Sequence, residues 1–259
     1  MSPEVTPRLS IDSLSAGYLG QPVVRDMSLT VGPGEVVALL GANGAGKTTT
    51  LITVAGLHAP ISGSVRLDGA EISGRPTFRL AREGVSLVPE NRSLFYDLTV
   101  REHLRLARKG DRAMETDELL AILPELEKCL DRKAGVLSGG EQQMVALGRA
   151  IVGRPCLLLV DEMSLGLAPV VVERLLPVLR RVADEMGAGI LFVEQHVPLA
   201  LQVADRACVL VRGRVVLSGG AAEMRERPEL LRSSYLGDEA VEETAKSELI
   251  REERKQSAT

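Results

Sequence analysis

Short apolar runs alternate with turns and helical segments in the first third of the chain. Runs typical of β-strands cover residues 9–14, 23–31, 35–40 and 65–67. A glycine-rich loop directly follows the third run, and no helix breaker interrupts residues 48–55 after that loop. The order strand, loop, helix, strand predicts an α/β domain.

The middle of the chain has helical character, and the last third returns to alternation. Thr99 and Glu102 form a capping box at the start of a predicted helix, and a helical pattern continues over 113–130. In the last third a long helix is predicted near 170–186. Further strands are predicted at 156–160, 190–193, 207–211 and 214–217.

These patterns divide the chain into a domain and a tail. We predict one domain over residues 1–237, with a helical subdomain inserted at about 75–153. Glu, Lys and Arg dominate residues 238–259, where apolar residues are few. We therefore expect this charged C-terminal tail to be solvated.

Composition narrows the class of protein further. The 259 residues include 31 Lys and Arg against 35 Asp and Glu, so no bulk positive charge predicts binding to nucleic acid. The longest apolar stretches, such as 36–40 and 156–160, are far shorter than the roughly 20 residues that span a bilayer. The start of the chain has no apolar run behind a positively charged segment, so we expect no secretory signal. The cysteines lack CxxC spacing, so we interpret Cys129, Cys156 and Cys208 as small core residues in a reducing cytosol.

Residues 41–48 carry a pattern that binds phosphate. The sequence Gly41-Ala42-Asn43-Gly44-Ala45-Gly46-Lys47-Thr48 lies between a predicted strand and a predicted helix. Its glycines let backbone N–H groups converge on phosphates, and the helix N-terminus adds positive potential. We expect Lys47 to reach the β- and γ-phosphates and the Thr48 hydroxyl to ligate Mg²⁺. The alternative, a flexible glycine-rich turn, would match the pattern by chance with a probability of about 1%.

A pair of carboxylates follows a buried strand in the last third. Asp161 and Glu162 end the apolar run that begins at Leu157. At this end of a strand Asp161 can hold Mg²⁺, and Glu162 points beyond it toward the γ-phosphate. A carboxylate there can orient a water molecule and accept its proton, so Glu162 is the candidate general base. The alternative is an acidic strand end that caps a helix.

A serine followed by two glycines decides the family. Ser138-Gly139-Gly140 at a predicted helix start offers a hydroxyl and backbone N–H groups to an anion, and by itself it is only a helix N-cap. Because it precedes the strand that ends in Asp161 and Glu162, it resembles the signature motif of ATP-binding cassette proteins. This resemblance covers residues 9–237.

The resemblance implies a fold, an assembly and a set of nucleotide contacts. The fold would be an α/β P-loop NTPase cassette with a RecA-like mixed sheet core, an antiparallel β subdomain and an inserted α-helical signature subdomain. Two such cassettes pack head to tail, so that ATP lies between the phosphate loop of one and the signature of the other. Tyr18 resembles the aromatic residue that stacks on adenine, the alternative being an ordinary half-buried tyrosine. The implied cofactor-binding residues are Tyr18, Gly41, Ala42, Asn43, Gly44, Ala45, Gly46, Lys47, Thr48, Thr49, Ser138, Gly139 and Gly140.

Three positions depart from the family pattern. Glu90 stands where the family has a Gln that senses Mg²⁺ and couples to the membrane domain, and Met163 stands where Pro is common. Gln195 holds the switch position, at which a His is expected, and His196, one place later, is the alternative. Successive residues leaving a strand face opposite ways, so we expect only one of the two to reach the γ-phosphate. The candidate catalytic residues are Lys47, Glu90, Glu162, Gln195 and His196. The candidate metal ligands are Thr48, Glu90 and Asp161.

Three short stretches indicate a subgroup of importers. Pro89-Glu90, the segment 164–169 and Val193-Glu194-Gln195 resemble the shorter ATP-binding subunit of branched-chain amino acid importers and of related urea or amide importers. This resemblance implies an ATPase at the cytoplasmic face of a membrane, paired with a second cassette and with permease subunits that dock near Glu90. The alternatives are a soluble cassette ATPase acting on DNA or ribosomes, and a cassette that binds ATP without hydrolysing it.

Overall fold

The structure is a computed structural model, and it describes residues 6–108, 113–227 and 229. The predicted tail 238–259 lies outside the described residues. Within them the strands are β1 (Leu9–Tyr18), β2 (Gln21–Val31), β3 (Val36–Leu40), β4 (Ser62–Leu67), β5 (Ala70–Glu71), β6 (Val85–Val88), β7 (Leu157–Val160), β8 (Gly189–Glu194), β9 (Arg206–Val211) and β10 (Arg214–Gly220). The α-helices are α1 (Lys47–Val54), α2 (Thr77–Glu83), α3 (Val100–Ala107), α4 (Thr116–Ile122), α5 (Gly139–Ile151), α6 (Pro169–Met186), α7 (Val197–Val203) and α8 (Ala221–Glu226).

Two sheets form the framework of the domain. Six strands make a sheet in the order β10-β9-β3-β8-β7-β6, in which every pair is parallel except β9 with β10. The other four strands make an antiparallel sheet in the order β2-β1-β4-β5. This mixed core with a separate antiparallel sheet confirms the predicted fold class.

The large sheet is buried on both faces, which explains its apolar strands. In β3, Val37 and Leu39 pack with the antiparallel sheet and α1, whereas Val36, Ala38 and Leu40 pack with the helices on the opposite face. All five side chains are fully buried. A strand covered on both faces carries a continuous apolar run rather than alternation, as the sequence of β3 does.

Helices α3, α4 and α5, with 3-10 turns at Pro124–Cys129 and Ala134–Val136, form a helical region between β6 and β7. Strand β6 interrupts the stretch 75–153, in which the sequence predicts only helix. Its four residues, Val85–Val88, pair in parallel with β7 and belong to the large sheet. The signal was missed because a four-residue apolar run after Gly84 is too short to separate strand from helix by periodicity.

Parallel strands bring the candidate residues to one edge of the large sheet. The loops after β3, β6, β7 and β8 all leave from the carboxyl ends of neighbouring strands. They carry, in that order, the glycine-rich loop, Glu90, the pair Asp161 and Glu162, and Gln195. Ligands of open α/β sheets bind at this edge. In the described part of the chain no helix is long and apolar enough to cross a membrane.

Candidate nucleotide site

The glycine-rich loop is held in place by two neighbouring backbone segments. Gly46, at the N-terminus of α1, has φ 106°, a conformation that favours glycine. A Cβ at Gly41 would lie 2.4 Å from the Leu210 carbonyl oxygen, and one at Gly46 would lie 3.0 Å from Val24 Cγ2. The turn between β9 and β10 adds a hydrogen bond from the Gly213 N–H to the Ala45 carbonyl, 3.0 Å. These contacts leave little room for side chains at Gly41 and Gly46 and hold the loop at the start of α1. Ala42, Asn43 and Gly44 are exposed.

Lys47 is buried inside the loop. Its Nζ donates to the carbonyl oxygens of Gly41 and Ala42, each at 3.0 Å, and lies 3.6 Å from Glu162 Oε1. The side chain of a lysine only 4% exposed needs such partners, because a buried ammonium without them is costly. The ammonium is thus fixed at the mouth of the loop, where phosphate oxygens can replace the carbonyls. The next candidate, Thr49, is buried in the first turn of α1.

Asp161 and Thr48 face each other across the site. The Thr48 hydroxyl donates to Asp161 Oδ1 at 3.1 Å, which joins the start of α1 to the end of β7. The pKa of Asp161 is raised from 3.8 to about 6, chiefly by burial and also by the negative charges of Glu162 and Glu90, against the opposing effects of Thr48 and Lys47. A bound cation would relieve the cost of ionising the buried Asp161 carboxyl.

Glu162 lies between a cation and an amide. Its Oε1 forms an ion pair with Lys47 Nζ, and its Oε2 accepts a 2.7 Å hydrogen bond from Gln195 Nε2. Its backbone has φ 42°, which is uncommon for a non-glycine residue, and its N–H donates to the Val193 carbonyl at 3.2 Å. With this strained backbone the side chain reaches Lys47 of the glycine-rich loop. Such strain is typical of functional sites.

The structure separates the two switch candidates. Gln195 contacts Glu162 directly, whereas the side chain of His196 makes no hydrogen bond or ion pair within the described residues. His196 is exposed and precedes α7 without a side-chain cap bond. Glu90 is also exposed at the end of β6, and it acts on Asp161 through its charge. The geometry thus brings Gln195, Glu162, Asp161 and Glu90 to one place and leaves His196 outside.

Tyr18 lies at the tip of the hairpin between β1 and β2. Half of its surface is exposed, and its ring centroid lies 5.1 Å from that of His58. His58 Nε2 also hydrogen-bonds to the Gly17 carbonyl, so one side chain contacts both the ring and the backbone beneath it. A half-exposed ring with a supported position is available for stacking. The sequence reading did not single out His58.

The signature serine caps α5 as predicted, and its hydroxyl is engaged. Ser138 N and Oγ donate to Glu141 Oε2 at 2.8 and 2.9 Å, and the Glu141 N–H donates to Ser138 Oγ at 3.3 Å. Gly140 lies against α6, because a Cβ there would come within 2.8 Å of Val171 Cγ1, and Gly139 is half-buried beside it. In this conformation a carboxylate of the same helix engages both the N–H and the hydroxyl of Ser138.

Arg92, two residues after Glu90, connects the β6 loop to the signature helix. Its guanidinium donates to Gln143 Oε1 at 2.9 Å and to Gln142 Oε1 at 3.2 Å. From the same helix, the Arg149 guanidinium donates hydrogen bonds to the backbone carbonyls of Ser93, 2.7 Å, and Arg92, 3.2 Å. The sequence gave no signal for these contacts, since Gln142 and Gln143 are about 50 residues from Arg92 in the chain.

A family profile described as ABC transporter matches residues 24–164, more than half of the chain. The chain belongs to the ABC transporter family. The high-affinity branched-chain amino acid transport ATP-binding protein BraG of Pseudomonas aeruginosa is 41% identical over 88% of this chain and 99% of its own length. A probable branched-chain amino acid transport ATP-binding protein, LivF of Archaeoglobus fulgidus, is 36% identical over 82% of this chain and 92% of its own.

The chain is also similar to an export ATPase and to a solved ABC transporter subunit. The lipopolysaccharide export system ATP-binding protein LptB of Escherichia coli K12 is 34% identical over 89% of this chain and 98% of its own. A solved structure of an ATP-binding subunit of an ABC transporter matches with a TM-score of 0.74 and 32% identity, over 88% of this chain and 98% of that one. The ABC family assignment confirms the resemblance seen in the sequence. This ABC chain is a nucleotide-binding transport ATPase.

Proposed function

We propose that this chain is the ATP-hydrolysing subunit of an importer for branched-chain amino acids. The observation that carries the proposal is the 41% identity to BraG across nearly the whole of both chains. The three stretches that indicate this subgroup contain Glu90, Ser164 and Gln195, and all of them lie at the catalytic edge of the large sheet. Import of a related urea or amide substrate is the alternative.

The residues present fit MgATP. The loop backbone and Lys47 would hold the β- and γ-phosphates, and Thr48 and Asp161, joined at 3.1 Å, would ligate Mg²⁺ together with Glu90. Bound MgATP would supply the phosphoanhydride bond whose hydrolysis drives transport. Tyr18 would stack on the adenine ring.

Glu162 is the general base of the proposed reaction. It accepts the proton of the attacking water, because it is the one carboxylate among Glu90, Asp161 and Glu162 that is not proposed as a metal ligand. Lys47 Nζ lies 3.6 Å from its Oε1, and Gln195, whose Nε2 lies 2.7 Å from its Oε2, fixes its orientation. Gln195 rather than His196 is the switch residue, because Gln195 is the one that contacts Glu162. Ser138 and the two glycines after it face the nucleotide of a partner cassette.

A groove beside the site is the proposed docking place of the permease. It has a volume of about 760 Å³ and lies between α2, β6 and the helical region, where Phe95 and Leu106 line it with their apolar surfaces. Both side chains are more than half exposed. Arg149 lines the same groove and holds the loop that carries Glu90 and Arg92. Movement of a permease segment in the groove would therefore reach the metal site. In this proposal the chain works at the cytoplasmic face of the membrane, and we expect no nucleic-acid partner.

Uptake of labelled leucine tests the proposal in cells whose own copy of this chain carries Glu162→Gln. We expect leucine uptake to fall to background and uptake of labelled urea to stay unchanged. Glu173→Gln, a carboxylate-to-amide change on the side of α6, is the matched control and should leave both unchanged. Normal leucine uptake with loss of urea uptake would assign the chain to the alternative importer. No change in either uptake would contradict an import role.

A further inference from the structure

Glu194 is a buried carboxylate that the ATPase chemistry described above does not use. It ends β8, its side chain is 0% exposed, and both of its oxygens are engaged. Oε1 accepts from the Ser164 N–H at 2.9 Å. Oε2 accepts from Ser164 Oγ at 2.6 Å and from the Gln195 N–H at 3.2 Å. A buried charge persists only where such partners offset its desolvation.

These bonds join the two loops that carry the catalytic groups. Glu162 and Ser164 lie on the loop after β7, and Glu194 and Gln195 lie where β8 ends. The side chains pair across the loops as Glu162 with Gln195 and Ser164 with Glu194. The result is a closed ring in which the 2.7 Å contact between Gln195 and Glu162 depends on the position of Glu194.

The ring requires a carboxylate rather than any polar side chain of this size. A carboxylate only accepts hydrogen bonds, which matches the two backbone N–H groups and one hydroxyl around it. The amide of a glutamine has one oxygen and one NH₂ group. If the NH₂ took the place of Oε1, it would face the Ser164 N–H, which cannot accept. If it took the place of Oε2, it could donate to Ser164 Oγ, but the Gln195 N–H would then face a donor and lose its acceptor. Glutamine therefore fills the same space but leaves a buried donor without a partner.

We infer that Glu194 is a positioning residue for hydrolysis, which acts by holding the loop of Ser164 and the switch residue Gln195 in register with Glu162. Glu194 touches no reacting atom. Its contribution is to the orientation of the general base, and not to nucleotide affinity. A misplacement of about 1 Å at a catalytic group is enough to lower a rate about 100-fold.

Backbone hydrogen exchange in the nucleotide-free, full-length chain is the first test. In Glu194→Gln we expect the amides of Ser164 and Gln195 to exchange at least about tenfold faster, because each has lost or weakened its acceptor. Asp205→Asn is the matched control. Asp205 accepts from the Val36 N–H at 2.8 Å and from Arg180 at 2.7 Å at the opposite edge of the sheet. This control should lower stability without changing exchange at Ser164 or Gln195.

Steady-state hydrolysis by the transporter complex, purified through a tag on this chain, is the second test. We expect Glu194→Gln to lower kcat at least about tenfold with KM for ATP within about twofold of the wild type. Asp205→Asn should leave both constants unchanged. The inference is overturned if kcat is unchanged, if kcat and KM change together, or if Asp205→Asn lowers kcat equally. Should Glu194→Gln fail to fold, Ser164→Ala carries the same test, since it removes only the 2.6 Å bond.

Discussion

Replacement of Asp161 with Asn should stabilise the nucleotide-free protein while destroying its metal site. Burial and two neighbouring carboxylates raise the pKa of Asp161 from 3.8 to about 6, so the ionised side chain lowers the stability of the empty site. An asparagine is uncharged and of the same shape. Its Oδ1 can still accept the hydrogen bond that Thr48 donates at 3.1 Å.

The size of the effect follows from the pKa. At about 1.4 kcal/mol for each pH unit, the rise from 3.8 to about 6 corresponds to about 3 kcal/mol once the group is fully ionised. Relaxation of the site in the variant reduces this, so we expect Asp161→Asn to be more stable by about 2 kcal/mol at pH 7.5. Well below pH 3.8 Asp161 is protonated in both the folded and the unfolded chain, and the charge contribution to the difference vanishes. It grows between pH 4 and 6 and is constant above that.

Denaturant unfolding in a magnesium-free, nucleotide-free buffer measures this difference between pH 4.5 and 8. In saturating Mg²⁺ and ATP the order should reverse, because only the wild type gains the stabilisation that metal binding provides. Asp205→Asn serves as a control, since its carboxylate is a hydrogen-bond acceptor in an ion pair and its loss should destabilise. The prediction is wrong if Asp161→Asn is less stable than the wild type at pH 7.5. It is also wrong if the difference in unfolding free energy is as large at pH 4.5 as at pH 7.5.

Three other variants test separate parts of the site. Tyr18→Ala should weaken ATP binding by about 1–3 kcal/mol, measured by calorimetry, with Tyr18→Phe close to wild type; equal losses in both would argue against stacking. The pKa of Glu141 is lowered to about 2, chiefly by the N–H of Ser138. Glu141→Gln should therefore destabilise by about 1 kcal/mol at pH 7, a difference that shrinks as the pH falls below about 4.5, whereas a pH-independent difference would exclude the charge as its cause. The solution mass of Glu162→Gln with magnesium-free ATP should double if the chain pairs with itself, and a monomer that binds ATP would instead indicate a different partner cassette.

Local sequence patterns were sufficient for most of the fold and for the phosphate loop. Apolar runs located β3 and β7, and the glycines between β3 and α1 specified a backbone that few other residues allow. A predicted capping box placed the start of α3 and a predicted N-cap serine the start of α5, and at both the structure shows the two reciprocal hydrogen bonds of a capping box. These features depend on residues close in the chain, so a single sequence contains them.

Contacts between distant loops could not be predicted in the same way. Glu194 and Ser164 are 30 residues apart, and Arg92 and Gln143 are 51 apart, so no spacing rule connects them. The available signal at Glu194 was a charged residue at the end of an otherwise apolar strand, which the sequence reading used only as a subgroup marker. The choice between Gln195 and His196 likewise needed the position of Glu162.

Comparison of ATP turnover by the purified transporter complex with wild-type protein and with Glu162→Gln decides whether Glu162 is the general base. We expect Glu162→Gln to bind ATP with unchanged affinity while its steady-state hydrolysis falls to background, because the general base is lost and the phosphate contacts remain. Hydrolysis at the wild-type rate in a clean preparation of Glu162→Gln would contradict this role.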